Sequence, residues 1–260
     1  MKAVQEGAML RYCFESFPSQ GVIHGVYARR GGASRGPFAS LNVGSTVGDD
    51  PAHVQANQQA IHRALGVSAE SVVTARQVHG DRVAVASPQD KGKVFPETDA
   101  LITNVPGLTL MLRFADCVPV FFYAPQRNAV GLAHAGWQGT LKGVAAKAAQ
   151  AMCAAYGCQA DELYAGLGPA IGPCCFEVGP EVLEAVRAAS WGRDELISCS
   201  QADGKAHLDL WRANALQLRE VGVQHIEVAG LCTCCHRHEF FSHRGEHGHT
   251  GRFAAVIGLS

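Results

Sequence analysis

Residues 108–156, LTLMLRFADCVPVFFYAPQRNAVGLAHAGWQGTLKGVAAKAAQAMCAAY, decide the fold of this chain. Two apolar runs on either side of the short turn 124–128 predict neighbouring strands, and the alanine-rich run 140–156 predicts a helix. Cys117 follows the first strand, and His134 ends the second. Because neighbouring strands joined by a short turn lie side by side, we expect these two side chains to meet and to form the functional site.

The flanking sequence alternates between predicted strands and helices. Residues 51–65 predict a helix, with Asp50 as its N-cap, Pro51 in its first turn and Gly66 after its end. The β-branched residues around His79 predict a hairpin or a bent strand. With no internal repeat or linker, the chain is predicted to form one α/β domain, residues 1–260, with a mixed β-sheet. Further strands are predicted at 21–28, 98–104, 162–167, 225–231 and 252–259, and further helices after Pro180 and over 207–222.

The composition indicates a folded protein without a broad charged surface. Of 260 residues, 47% are hydrophobic, which is enough for a large core. The 22 Lys and Arg residues nearly balance the 23 Asp and Glu residues, so we expect no non-specific binding of nucleic acid. The N-terminus lacks the apolar core of a signal peptide, and polar residues interrupt the apolar run 108–123. We therefore expect a cytoplasmic protein without a membrane span, whose ten cysteines stay reduced.

Three side chains at bends and strand ends are the best candidates for a metal centre. These are His79, Cys117 and His134. Zinc prefers imidazole and thiolate ligands, and catalytic zinc sites often have three protein ligands and an open fourth position. Two alternatives stay open. Cys117 and His134 could be a thiolate nucleophile and its base, or a core cysteine and an ordinary histidine at a strand end.

Anion binding is predicted near the same site. The segment 136–140, GWQGT, begins the predicted helix, and the free N–H groups of a helix start favour anions. Arginines that flank glycine-rich loops could add phosphate contacts. These arginines are Arg29, Arg30, Arg35, Arg76, Arg244 and Arg252.

A second group of potential ligands lies near the C-terminus. It comprises Cys232, Cys234, Cys235, His236 and His238. The group could hold another metal, but its crowded spacing differs from the separated C-x₂-C pairs of structural zinc sites, which favours a structural or incidental role. The H-x-x-E-H match at 243–247 contains a glycine and is followed by another, which argues against the helix that this motif needs.

Seven stretches, in order along the chain, resemble one family. They are 29–50 (RRGGASRGPFASLNVGSTVGDD), 76–83 (RQVHGDRV), 98–103 (TDALIT), 114–123 (FADCVPVFFY), 133–140 (AHAGWQGT), 168–179 (GPAIGPCCFEVG) and 240–258 (FFSHRGEHGHTGRFAAVIG). They are similar to the bacterial polyphenol oxidase (laccase-like) family, also named peptidoglycan editing factor. Its members are described as zinc-dependent purine nucleoside phosphorylases with adenosine deaminase and methylthioadenosine phosphorylase activity. The resemblance spans about residues 21–259.

This resemblance implies a layered α/β/β/α fold and a catalytic zinc held by the same three residues, His79, Cys117 and His134. Asp116, beside Cys117, is a candidate for orienting the site or for moving protons, as is Glu177 for proton transfer. The sequence reads His243-Arg244-Gly245 where similar proteins often have Tyr-Arg-Arg. The residues that the resemblance places near substrate or phosphate are Asn42, Arg76, Gln77, Glu177 and Arg244.

The activity implied by the resemblance is phosphorolysis of purine nucleosides, namely adenosine, inosine, guanosine and methylthioadenosine. Deamination of adenosine is implied as well, with zinc lowering the pKa of a water to about 7. Two alternatives follow from the family's other names: copper-dependent oxidation of phenols, where copper binding would be incidental, and a role in editing peptidoglycan precursors. Purine nucleosides and phosphate are the expected partners, and no protein partner is predicted.

Overall fold

The computed structural model describes residues 1–189, 191, 194–199 and 205–260, and within them it has fifteen strands and five α-helices. The strands are β1 (Lys2–Glu6), β2 (Met9–Cys13), β3 (Val22–Tyr27), β4 (Val72–Ala75), β5 (Val83–Val85), β6 (Val94–Phe95), β7 (Ala100–Thr103), β8 (Thr109–Phe114), β9 (Val118–Ala124), β10 (Ala129–Ala135), β11 (Tyr164–Leu167), β12 (Ile197–Cys199), β13 (Ala206–Leu208), β14 (His225–Val228) and β15 (Phe253–Leu259). The helices are α1 (Pro51–Leu65), α2 (Trp137–Leu141), α3 (Val144–Tyr156), α4 (Pro180–Ala188) and α5 (Leu210–Glu220).

Two mixed sheets carry the fold. The first sheet has the order β1-β2-β3-β15-β8-β4-β6, in which β4 runs parallel to both of its neighbours and the other pairs are antiparallel. The second sheet has the order β14-β11-β9-β10-β7-β5, with parallel pairs at both edges. A separate pair, β12 and β13, is antiparallel. The predicted α/β class with mixed sheets is therefore confirmed.

The two sheets pack face to face, and helices cover their outer faces. Because successive strand residues point to opposite faces, each central strand contributes to two layers of core. In β9, Phe121 lies in the core between the sheets, whereas Phe122 packs with Met152 of α3. In β15, Ile257 belongs to the inter-sheet core, whereas Val256 packs in the cluster that includes α1. The layers are thus α1, the first sheet, the second sheet, and α3 with α5, as the layered prediction required.

Helix α1 follows its predicted boundaries. The Asp50 carboxylate accepts a hydrogen bond from the N–H of Ala52 at 2.8 Å, and Pro51 is the first helical residue. Gly66 ends the helix in the left-handed region, with φ of 68°, which glycine adopts without steric cost. Within the described residues, no helix is both long and apolar enough to cross a membrane.

Two local predictions were wrong. The single helix predicted over 140–156 is two helices, α2 and α3, because Gly143 adopts φ of 76° and interrupts the helical backbone between them. The hairpin or bent strand predicted around His79 does not form, since β4 ends at Ala75 and pairs in the first sheet, whereas β5 begins at Val83 and pairs in the second. The chain therefore crosses from one sheet to the other at this histidine.

Candidate metal centre

The two sheets bring together His79, Cys117 and His134, which we call the His–Cys–His centre. His79 lies where the chain crosses from β4 to β5, and Cys117 lies where it crosses from β8 to β9, so both residues join the two sheets. His134 is near the end of β10. One ligand atom from each residue lies within 4.8 Å of the others, and Cys117 Sγ is 4.0 Å from His79 Nδ1. One thiol and two imidazoles in this arrangement can hold a metal ion.

Asp99 orients two of these residues. Its side chain is fully buried, and its Oδ1 lies 2.9 Å from His134 Nδ1. A carboxylate on one ring nitrogen fixes the ring and leaves the other nitrogen for a metal, as in many zinc sites. The same carboxylate accepts hydrogen bonds from three successive backbone N–H groups, those of Val78, His79 and Gly80. Asp99 thereby holds the bend that carries His79.

The backbone around the centre is unusual at two positions, and a third position has no room for a side chain. His79 has φ of 57° and Asp116 has φ of 84°, a region that residues other than glycine seldom occupy. At Gly136, a Cβ atom would lie 2.8 Å from both Cys117 Sγ and His79 Nδ1. Any side chain at that position would collide with the ligand atoms. The glycine of the GWQGT segment is therefore needed for the space around the centre.

The ligands shift one another's protonation. Burial by itself would raise the pKa of the Cys117 thiol, but the adjacent His134 and His79 rings lower it to about 6. Burial would lower the pKa of His134, but Cys117 and the Asp99 carboxylate raise it to about 9. These opposite shifts favour a thiolate next to an imidazolium when no metal is bound. A cation in this position would take the place of the imidazolium proton as the charge partner of the thiolate.

Asp116 connects the centre to the C-terminal loop. Its Oδ1 accepts hydrogen bonds from the hydroxyl groups of Thr233 and Ser242 at 2.6 and 2.8 Å, and its Oδ2 accepts one from the N–H of Arg244 at 2.6 Å. Its backbone carbonyl accepts from the N–H of Ile171 at 2.9 Å. Both oxygens of the side chain are therefore occupied in positioning neighbouring segments.

A cavity of about 370 Å³ opens over the centre. Its lining includes the aromatic residues Trp137 and Phe176 and the guanidinium groups of Arg113, Arg244 and Arg252. The hydrogen bonds of these three guanidinium groups all go to backbone carbonyls, and in the described part of the chain none forms an ion pair with a carboxylate. Positive groups of this kind, beside a set of potential metal ligands, can attract an anion.

Several residues predicted to contact substrate or phosphate lie outside the cavity lining. Asn42 is fully buried, and its Oδ1 accepts a hydrogen bond from the N–H of Arg252 at 2.8 Å. Gln77 exchanges two hydrogen bonds with the backbone of Arg113. These two side chains thus hold two of the cavity arginines in position.

The other two residues predicted to contact substrate or phosphate, Arg76 and Glu177, form ion pairs at the surface. Arg76 is exposed and lies 3.2 Å from the Glu97 carboxylate. The Glu177 carboxylate lies 2.9 Å from Lys205 Nζ, while its backbone carbonyl accepts from Arg244 at 2.9 Å. Among the residues predicted to contact substrate or phosphate, Arg244 and Arg252 line the cavity.

Sequence reasoning missed Asp99 and Arg113. Asp99 lies in the stretch 98–104 that predicts β7, and its signal is an acidic residue directly before a buried strand. Arg113 is the charged residue inside the apolar run of β8 and is one of the polar residues that interrupt the run 108–123. Burial lowers the pKa of Arg113, and its Nε donates to the carbonyl of Val43 at 3.1 Å. A charge within a buried strand was the available signal of function.

Comparisons with known proteins agree on one group of relatives. A family model described as multi-copper polyphenol oxidoreductase laccase matches residues 23–260. The chain is 40% identical to purine nucleoside phosphorylase YlmD of Geobacillus stearothermophilus over 250 residues, which are 93% of this chain and 91% of that relative. It is 34% identical to adenosine deaminase RL5, from an unknown prokaryotic organism, over 81% of this chain and 83% of that protein.

A solved structure has the same fold. The crystal structure of YlmD from Geobacillus stearothermophilus matches with a TM-score of 0.91 and 38% identity. The match covers 99% of this chain and 98% of that one. The layered architecture described above is therefore shared over the whole chain.

Proposed function

We propose that this chain, which belongs to the laccase-like family described as multi-copper polyphenol oxidoreductases, is a zinc-dependent purine nucleoside phosphorylase. The observation that carries the proposal is a single cavity with two kinds of group. One wall has the His–Cys–His centre, and the lining adds three arginines that form no ion pair with a carboxylate of the described residues. Phosphorolysis needs an anion site next to a nucleoside site, and relatives named purine nucleoside phosphorylase support this reading.

The donors of the centre suit zinc. A thiolate with two imidazoles is a common zinc set, and three protein ligands leave a fourth position open. His79, Cys117 and His134 would hold the ion, with Asp99 fixing the orientation of His134. When bound, zinc supplies a Lewis acid within reach of a substrate in the cavity.

The arginines would hold and orient phosphate. Guanidinium groups bind phosphate oxygens through paired hydrogen bonds, and Arg113 and Arg252 are held in place by backbone carbonyls. In the reaction, a phosphate oxygen forms a bond to ribose C1′ as the bond from C1′ to the base nitrogen breaks. The electron pair of that bond stays on the base, which takes up a proton. The products are the free base and ribose 1-phosphate.

The aromatic residues provide a surface for the purine. Phe176 and Trp137 both line the cavity, and the Arg244 guanidinium lies 5.5 Å from the Phe176 ring centre. Purine rings stack favourably on aromatic side chains and on guanidinium planes. We place the base on this side of the cavity and the ribose between the base and the arginines.

Deamination of adenosine is the second candidate activity. The relative named adenosine deaminase and the His and Cys donor set both favour it, because zinc deaminases use similar ligands with a carboxylate that moves protons. Asp116 is the carboxylate found among the described residues that line the cavity. Its hydrogen bonds to Thr233, Ser242 and Arg244 assign it to positioning, so we propose deamination as the slower activity.

Copper-dependent oxidation has weaker support from the ligands. Within the described residues, groups able to share an ion form at two places only, the His–Cys–His centre and a group of four cysteines. Multi-copper chemistry would need more imidazole ligands than the two at this centre. We propose that copper binding to the cysteines and histidines of this chain is incidental.

The proposed function can be tested by product analysis. Zinc-loaded protein is incubated with inosine or adenosine, with and without phosphate, and the bases are separated by chromatography. We expect free base and ribose 1-phosphate only when phosphate is present. The variant His79→Ala should lose this activity, whereas His225→Ala, which removes an exposed histidine on β14, should keep it. Base release without phosphate, or full activity in His79→Ala, would contradict the proposal.

A further inference from the structure

Four thiol groups meet at a second place, beside the cavity. Cys174 and Cys175 lie in the loop after β11, and Cys232 and Cys235 lie in the loop after β14. All four Sγ atoms lie within 4.8 Å of one another. We call this group the four-cysteine cluster. It combines two pairs that are far apart in the sequence: Cys232 and Cys235 have the C-x₂-C spacing of zinc motifs, whereas Cys174 and Cys175 are adjacent residues.

The distances within the cluster suit a tetrahedral ion. Cys235 Sγ lies 3.6 Å from Cys174 Sγ and 3.5 Å from Cys175 Sγ. Zinc–sulfur bonds of about 2.3 Å in a tetrahedron place the sulfur atoms about 3.8 Å apart. A disulfide requires about 2.05 Å, so these thiols are unbonded. In addition, the N–H of Gly172 donates a hydrogen bond to Cys232 Sγ at 3.2 Å, the kind of contact that stabilises a ligating thiolate.

We propose that the four-cysteine cluster binds a second ion, a structural Zn²⁺ with four thiolate ligands. Four protein ligands leave no open position, so this ion would hold the structure together and would not contact substrate. Cys234 is next to Cys235 in the sequence but is outside the set of four. The proposal is independent of the reaction at the His–Cys–His centre.

The ion would join the two loops that form one side of the cavity. Between these loops, Ala170 and Cys232 form a β-bridge, and the N–H of Thr233 donates to the carbonyl of Ala170 at 2.9 Å. Phe176 follows Cys175 directly and lines the cavity. The second loop continues to Arg244, which donates to the carbonyl of Glu177. Fixing the cysteines therefore fixes the side of the cavity where Phe176 and Arg244 meet.

Metal counting on purified variants tests the proposal. Inductively coupled plasma mass spectrometry should find two zinc ions per wild-type chain and one in the double variant Cys174→Ser/Cys235→Ser. The variant His79→Ala/His134→Ala should also keep one ion, the one at the cysteines. Cys153→Ser is the matched control and should keep both ions, because Cys153 lies 3.8 Å from the thiol of Cys158 and belongs to neither group of potential ligands.

Alkylation of the wild-type protein provides a second test that does not depend on folded variants. Cys174 and Cys235 are exposed, so a thiol reagent can reach them. At mildly alkaline pH, with reaction to completion, we expect both to be protected until a chelator removes the ion, and modified afterwards. Equal modification before and after chelation would overturn the proposal. Two other results would also overturn it. One is a wild-type protein with a single zinc ion that the His79→Ala/His134→Ala variant lacks, and the other is a disulfide among these four cysteines in the protein as purified.

Discussion

The His–Cys–His centre and the four-cysteine cluster use the same kinds of ligand but are built differently. The centre takes its ligands from two crossings between sheets and from a strand, and a buried carboxylate orients one of them. The cluster takes its ligands from two surface loops, and two of its thiols are exposed. Three ligands beside a cavity would leave room for substrate, whereas four thiols would enclose an ion. On our proposals, the difference separates a site for chemistry from a site for structure.

The largest effect is expected from removing the thiol of the centre. Cys117→Ala should lower phosphorolysis by more than about 100-fold, beyond the loss typical for residues that only support a metal ligand. The zinc content should fall by one ion per chain. Steady-state kinetics and metal analysis measure both quantities. The counterpart in the cluster, Cys174→Ser, should retain most of the turnover, and equal losses in the two variants would remove the distinction between the sites.

The two sites should also differ in thiol reactivity once metal has been removed. The lowered pKa of Cys117, about 6, keeps this thiol ionised as the pH falls from 9 towards 6, whereas burial raises the pKa of Cys174 to about 12. At neutral pH, Cys117 should react with iodoacetamide about 100-fold faster than Cys174, because its larger thiolate fraction outweighs its lower intrinsic nucleophilicity. Peptide mass spectrometry over a pH series measures both rates. In His134→Ala the reaction of Cys117 should require higher pH, and an unchanged profile would contradict the assigned cause.

Asp99 provides a test of orientation at the centre. Asp99→Asn keeps the shape of the side chain but removes the charge near His134 and one of the acceptors used by the bend at His79. Loss of such a supporting carboxylate should weaken zinc affinity or activity about 10- to 100-fold. Competition with a chelator measures the affinity. Asp81→Asn is the matched control, because Asp81 pairs with Lys147 at the surface and should have no such effect.

A smaller change is expected from altering one cavity arginine. Arg252→Lys keeps the positive charge but loses the planar pair of donors, so kcat/KM for phosphate should fall about tenfold. Initial rates at varied phosphate concentration measure it. Arg76→Lys is the comparison, because Arg76 pairs with Glu97 outside the cavity lining. A larger loss in Arg76→Lys than in Arg252→Lys would restore Arg76 as the phosphate contact that the resemblance implied.

Much of the fold could be predicted because the local signals are strong. Helix α1 has an N-cap, a proline and a terminal glycine in their expected places, and the apolar runs of β8, β9 and β10 are unambiguous. The pairing of strands within the sheets could not be predicted from these local signals. Strand β15 at the end of the chain pairs with β3 and β8, and no alternation of residues specifies such a distant neighbour. For the same reason, the sequence around His79 was compatible with a hairpin, although β4 and β5 pair in different sheets.

The meeting of the three candidate ligands could be predicted from residues near the ends of apolar strands, whereas side chains that act through contacts across the fold were missed. His79, Cys117 and His134 follow from position and residue type. Asp99 could not, because its role arises from a neighbouring strand and from a bend about twenty residues earlier. The sequence indicated only one half of the four-cysteine cluster, Cys232 and Cys235. The two halves lie on separate loops, which meet at the β-bridge between Ala170 and Cys232.

The crossings at His79 and Cys117 link metal binding to the stability of the whole fold. Each of these residues lies between a strand of one sheet and a strand of the other, so a bound ion would connect the two sheets as well as the ligands. By thermodynamic linkage, an ion at 1,000 times its dissociation constant adds about 4 kcal/mol to the free energy of unfolding. Zinc starvation would then reduce the amount of folded protein as well as its activity, and inter-sheet core residues such as Phe121 would influence metal affinity from a distance.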